Sequence, residues 1–208
     1  VLDDLARCTH KELKGRCKNW YSTGGVYRYW GSHGTHVATT IAASNTGKGG
    51  MVGVAPKAYI HNYAVFDDYG WVGGDATEIS AVNHARRRGV RVINMSYGPA
   101  AKGVLSANSS LNMMAKAANK NIVFVKAAGN DGVKLSNQQL NTNLQAWSKL
   151  KNLIIVGAVK SNRKIASFSN RPGTACFKAW KDRNKKCTKK NKFMYFTVTA
   201  PGQSIYAG

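Results

Sequence analysis

Four short runs, Lys57 to Phe66, Val90 to Ser96, Asn121 to Ala127 and Asn152 to Val159, concentrate Val, Ile, Ala and aromatic residues. Runs of this length and composition read as strands buried on both faces. Between them the spacing of apolar positions becomes helical. In Asp75 to Arg88, Ile79, Val82 and either Ala85 or the Arg86 stem share a face, and in Val104 to Asn119 so do Leu111, Met114, Ala115 and Ala118. Asp75 followed by Glu78 reads as a helix cap and capping box, and Gly89 stands where a helix ends in glycine. Strand and helix in alternation predict an α/β fold, a parallel sheet wrapped by right-handed crossovers. In such sheets functional groups gather at the carboxyl ends of strands. Asp3, Ser96-Tyr97-Gly98 and Asn130 each follow a strand-like run and are expected to converge there.

Composition narrows the class. With 208 residues, 43% of them hydrophobic, the chain can bury one sizeable core, and a single domain is expected. The longest apolar run, Leu153 to Val159, is too short to cross a bilayer, and no tripartite leader is read at its start. Charge is the strongest bias: 31 Lys and Arg oppose nine Asp and Glu, for a net charge of +22. Such a field favours anionic partners without naming one, and a solvated surface is the plainer reading. Four cysteines fall in two close pairs, Cys8 with Cys17 and Cys176 with Cys187, without the spacing of a zinc site. They read as two local disulfides, each closing about ten residues and contributing at most roughly 3 kcal/mol. Free buried thiols are the alternative. Formed disulfides would imply an exported, oxidising location.

The most informative stretch is Ser32-His33-Gly34-Thr35-His36-Val37-Ala38, with Asp3 upstream and Ala127-Ala128-Gly129-Asn130 downstream. A carboxylate, an imidazole and a side-chain amide are the groups that orient a base, move a proton and stabilise an oxyanion. Val1-Leu2-Asp3 with Thr9-His10-Lys11-Glu12-Leu13, His33 to Ala38, Gly53-Val54-Ala55-Pro56, Asn94 to Gly98, Ala127 to Asn130, Ala166 to Asn170 and Ala200-Pro201-Gly202 occur in an order and near a spacing that resemble the subtilisin-like serine proteases, or subtilases. The likeness leans toward bacterial secreted and autotransporter-type members, which often carry a Cys-flanked loop before Ala-Pro-Gly.

The resemblance implies a three-layer fold with a mainly parallel central sheet, and a serine endopeptidase acting on polypeptides. It implies that His33 is the general base, that Asp3 orients it and that Asn130 donates to the oxyanion. At the equivalent asparagine of subtilisin that donation is worth about 2.7–4 kcal/mol, a magnitude taken over from that enzyme. Ser96, Tyr97 and Gly98, with Ala127, Ala128 and Gly129, would form the two walls that pair with an extended substrate. The pattern departs at Asp4-Leu5, where a small residue and Gly are usual, so that Asp4 is placed to compete for His33. It departs again at Thr39, which puts bulk on the helix of the histidine.

No cofactor or metal is expected. The resemblance points to calcium near the glycine loop, with Glu12 at one ligand position, but Asn45 to Met51 carries Lys48 and no acid. Glu12 is expected to be a surface acid paired to a lysine. The insertion at about 171–195 carries nine basic residues between Arg171 and Lys192 against Asp182 alone, with Cys176, Phe177, Trp180, Cys187, Phe193 and Tyr195. It suggests contact with an anionic surface or glycan, whereas specific nucleic-acid binding is not expected, since such aromatic residues pack down. Specificity residues would lie within Val133 to Lys151. No nucleophile is found. Ser204 reads as a strand residue before Ile205 and Tyr206, so the nucleophilic Ser is expected beyond Gly208 and the 208 residues alone are expected to be inert. The competing readings are an inactive pseudoprotease and a basic polyanion-binding or adhesion domain. A secreted or cell-surface location is expected.

Overall fold

The computed structural model describes residues 1–21, 31–47, 50–67, 70–71, 74–98, 121–135, 152–174, 176, 184–189 and 192–205. The expected helix over 104–119, Lys48, Phe177, Trp180 and most of the expected specificity loop lie outside the described residues. The chain divides into two compact units, Val1–Gly89 and Val90–Ile205.

The described residues of the first unit hold three parallel strands in the order β2, β3, β1: β1 is Leu2–Asp3, β2 Cys17–Tyr21 and β3 Ile60–Ala64. Leu2 pairs with Tyr63 and Asp3 with Ala64, while Cys17 to Tyr21 pairs residue for residue with Ile60 to Ala64. The strand β2 is too polar for its period to announce it. Its register is secured by the Cys8–Cys17 disulfide, by Asn62 Nδ2 donating to Asn19 Oδ1 at 2.9 Å and by Trp20 Nε1 donating to His61 Nδ1 at 2.9 Å. A two-stranded antiparallel pair, β4 Phe66–Asp67 and β5 Gly70–Trp71, follows.

Helix α1, Ser32–Ala42, is poor in strong helix formers, and tertiary burial sets it. It lays Val37, Ala38 and Ala42 inward, where Ala38 and Ala42 join Ala6, Leu13 and Ile60 in a core cluster. Thr39, wholly buried, donates its hydroxyl to the Thr35 carbonyl at 2.9 Å, so its bulk is absorbed within the helix. Helix α2, Gly74–Arg87, begins one residue ahead of the expected cap, which moves Asp75 inside the first turn. Its buried stripe is Glu78, Ala81, Val82 and Ala85, with Ile79 half-buried and Arg86 exposed. The Arg86 stem therefore takes no part, because Ala81 already completes the spacing. Gly89 follows at φ +76°, the left-handed conformation that closes a helix.

The described residues of the second unit hold four parallel strands in sequence order: β6 Val92–Met95, β7 Val123–Ala127, β8 Leu153–Val159 and β9 Thr197–Pro201. Phe124 pairs with Leu153 and Val156 with Val198, and the register runs on to Val159 with Pro201. Burial alternates along β6 and β8, with Val92 and Ile154 exposed, so these are not buried on both faces as expected. A 3-10 turn, Phe193–Phe196, buries Phe193 and leads into β9. Ser204 lies past the end of β9 with φ +56°, not in a strand, because pairing with β8 stops at Pro201. Among the described residues the first unit thus combines helices with parallel strands and the second shows parallel strands, and no helix among them is long and apolar enough to cross a membrane.

Candidate active site

Asp3 ends β1 and His33 is the second residue of α1, so a strand end and a helix start meet. His33 Nδ1 lies 2.6 Å from Asp3 Oδ1, with Asp3 wholly buried and the His33 side chain 50% exposed. A carboxylate only accepts, so Nδ1 carries the proton and donates, leaving Nε2 as the basic nitrogen. The same Asp3 oxygen accepts from the Asp4 amide at 2.9 Å, which holds the carboxylate in place. The hydrogen bond to Asp3 raises the His33 pKa above the ordinary histidine value, against partial burial, and the charges of Asp3 and Asp4 add to the rise. A raised imidazole pKa beside a fixed carboxylate suits a group that accepts a proton and returns it.

Asp4 does not take the imidazole from Asp3. Its carboxylate Oδ1 accepts the Gly34 amide at 2.5 Å. Burial pushes the Asp4 carboxyl above the ordinary aspartate value, against that hydrogen bond. The physical reason for the contact is the start of α1, whose N-cap, Gly31, has no side chain to serve the first amides.

In the second unit the proposed substrate walls follow β6 and β7 directly. Ser96 Oγ accepts from Asn94 Nδ2 at 2.9 Å, Ala128 is buried, Gly98 is exposed, and Asn130 is exposed where the chain turns away. The turn is braced by Asn170, a buried residue of the Ala166 to Asn170 motif. Its Oδ1 accepts the Asp131 and Val133 amides at 3.1 and 3.2 Å, its Nδ2 donates to Asp131 Oδ2 at 2.9 Å, and its own amide donates to the Gly129 carbonyl at 3.0 Å. Gly129 sits at φ +99°, and a Cβ there would lie 2.5 Å from Asn170 Nδ2. Glycine is required on both counts. Lys126 was not singled out in the sequence, though a lysine inside a strand of apolar neighbours is the signal. It is buried, donates to the Tyr97 carbonyl and places Nζ 4.0 Å from the Tyr97 ring centroid, tying the two walls together.

Glu12 is not the expected surface acid. It is 1% exposed, because the segment after α1 folds over it. Thr46 donates its hydroxyl at 2.8 Å and its amide at 3.1 Å, and Ser44 Oγ lies 3.4 Å away. Burial pushes the Glu12 carboxyl up, but these donors and the charge of Lys11 outweigh it and hold the pKa below the ordinary glutamate value. The cysteines pair locally, Cys8 with Cys17 and Cys176 with Cys187.

A family model described as the subtilase family matches residues 1–207. The chain belongs to the subtilase family. This subtilase chain is 34% identical over 171 residues to subtilisin DY of Bacillus licheniformis, covering 82% of the chain and 59% of that protein. It is 33% identical over 177 residues to subtilisin E of Bacillus subtilis strain 168, covering 82% of the chain and 42% of that protein. The chain thus spans about half the length of the curated relatives it matches. Among solved structures, a psychrophilic subtilisin-like protease from the Antarctic psychrotroph Pseudoalteromonas sp. AS-11 is similar, with 29% identity, a TM-score of 0.63, 81% of this chain covered and 37% of that one. The fold is therefore the subtilisin-like α/β fold.

Proposed function

We propose that this subtilase chain carries the Asp and His of an Asp-His-Ser triad in a serine endopeptidase, with Asp3 orienting His33, His33 as general base and Asn130 as the oxyanion donor. The observation that carries the reading is the 2.6 Å contact between His33 Nδ1 and a wholly buried Asp3. In the catalytic step His33 Nε2 takes the proton of a serine hydroxyl as the oxygen attacks the peptide carbonyl, and later returns it to the leaving amine. Asp3 keeps the tautomer and offsets the charge of the imidazolium. Ser96 to Gly98 and Ala127 to Gly129 pair with the extended polypeptide substrate. The chain spans about half the length of the relatives it matches, and the nucleophilic Ser is proposed to lie in the part of the family's length that residues 1–208 do not match. The two disulfides support a secreted or cell-surface location.

The chemistry is proposed to need no calcium at Glu12. The Glu12 carboxylate already accepts from the Thr46 amide and from the Ser44 and Thr46 hydroxyls, which supports this reading. Asn45 Oδ1 and the Gly47 carbonyl oxygen come together with Glu12 Oε1 beside Gly50 and are the further oxygens that a calcium ion, which takes six to eight, would draw on.

A fluorophosphonate probe tests the triad. It is expected to label the natural full-length protein on a Ser beyond residue 208, to lose that label in His33→Ala, and to leave residues 1–208 unlabelled. Labelling of Ser204, or no labelling of the full-length protein, would refute the assignment.

A further inference from the structure

The residue after the orienting aspartate is a second aspartate, and its surroundings are built around its carboxylate. Asp4 is 8% exposed. Its main chain is fixed at both ends: the amide donates to Asp3 Oδ1 at 2.9 Å, and the carbonyl accepts from Asn62 Nδ2, itself wholly buried, at 2.9 Å. The side chain then reaches the first turn of α1, where Oδ1 accepts the Gly34 amide at 2.5 Å. Two glycines open the space. A Cβ on Gly31 would stand 1.9 Å from the Asp4 carboxyl carbon, and one on Gly34 would stand 2.4 Å from Oδ1. Neither has positive φ. At Gly31 the crowding comes from the carboxylate alone, whereas a Cβ on Gly34 would also stand 2.6 Å from the Asp4 carbonyl oxygen.

We propose that Asp4 is a positioning residue for His33: its carboxylate clamps the Gly34 amide in the turn that carries the imidazole, and sets a second negative charge beside the ring. A helix start leaves its first amides unpaired and partly positive, which is where an anion is favoured. Gly31 cannot supply that anion, and the first turn of α1 has no acidic residue of its own. Asp4 serves from thirty residues earlier, so the strand carrying Asp3 and the helix carrying His33 are joined twice, once through the ring and once through the main chain. Among the described residues of the first unit, the charges acting on His33 are those of Asp3 and Asp4, with His36 one turn along its own helix and the neutral ring of Phe66 at 6.3 Å. Both carboxylates favour the protonated imidazole.

The inference rests on His33 being the general base, and its test separates the two. The natural full-length protein, labelled with carbon-13 at histidine Cε1, is titrated by NMR as wild type, Asp4→Asn and Asp4→Ser, and the pH profile of kcat/KM is recorded on a peptide substrate. Asparagine keeps an oxygen for the Gly34 amide and removes the charge. The His33 midpoint and the acid limb of kcat/KM are both expected to move to lower pH in Asp4→Asn, while the Gly34 amide stays protected from exchange. In Asp4→Ser the midpoint falls and that protection is lost as well. A folded Asp4→Asn whose His33 midpoint equals that of wild type overturns the proposal. Should the variants not fold, the wild-type protein decides: the His33 and Gly34 amide shifts must follow the titration of the Asp4 carboxyl, and shifts that ignore it overturn the clamp. An inactive full-length protein with the His33 shift intact would sink the protease reading and leave the clamp standing.

Discussion

Removing the Asn170 side chain tests whether the segment before Asn130 is held from outside. Asn170→Ala deletes three hydrogen bonds, two accepted from the Asp131 and Val133 amides and one donated to the Asp131 carboxylate. The bond from its own amide to the Gly129 carbonyl survives, since the main chain is unchanged. Asp131 is exposed and Val133 half-buried, so water replaces part of what is lost. Each amide bond is then worth about 1 kcal/mol and the one to the carboxylate somewhat more, for a total of ~3 kcal/mol. In a chain of this size that lowers Tm by roughly 6–12 °C. Thermal unfolding and urea midpoints read it directly. Asn170→Asp sharpens the test, because it keeps an acceptor but sets a second carboxylate where an amide met Asp131 at 2.9 Å. It is expected to be at least as unstable as the alanine variant at neutral pH and to recover on acidification, as the repulsion is neutralised. A loss below about 1 kcal/mol in Asn170→Ala, or an Asn170→Asp as stable as wild type at neutral pH, would refute the account.

Two further outcomes follow from the charged groups. The His33 pKa is raised, first by its hydrogen bond to Asp3, so the stability it contributes is fully present below the unfolded value of about 6.5 and is lost as pH rises through the folded value. Urea midpoints of wild type and His33→Gln are therefore expected to converge between neutral and alkaline pH, and a gap that widens there would contradict the pairing. The Glu12 pKa is lowered, so its contribution is present above the unfolded value of about 4.5 and is lost as pH falls through the folded value. Glu12→Gln is expected to be less stable than wild type at neutral pH and equal to it in acid, and calcium is expected to leave the Ser44 to Thr46 amide resonances unmoved. A saturable calcium shift at those amides would show that the ion displaces the protein donors.

Local pattern alone was enough for strands β3, β6, β7 and β8 and for helix α2, each within a few residues of its ends, because their apolar runs and the Gly89 stop act through neighbours in the chain. The motifs around Asp3, His33 and Asn130 were legible for the same reason: residue type and order are local facts. Strand β2 was not, since Cys17 to Tyr21 is polar enough to pass for a loop and becomes a strand only by pairing along Ile60 to Ala64. Nor was β9, whose extent is set by β8. Glu12 and Asp4 make the point most sharply. An acid beside basic residues reads as surface, yet Glu12 is buried because Ser44 and Thr46, more than thirty residues away, bring it donors. Asp4 reads as a competitor for His33, yet it serves the helix, because only the folded chain sets the Gly34 amide and two side-chain-free glycines around its carboxylate. The cost of burying a charge is decided by the partners that reach it, and those partners are assigned by tertiary structure.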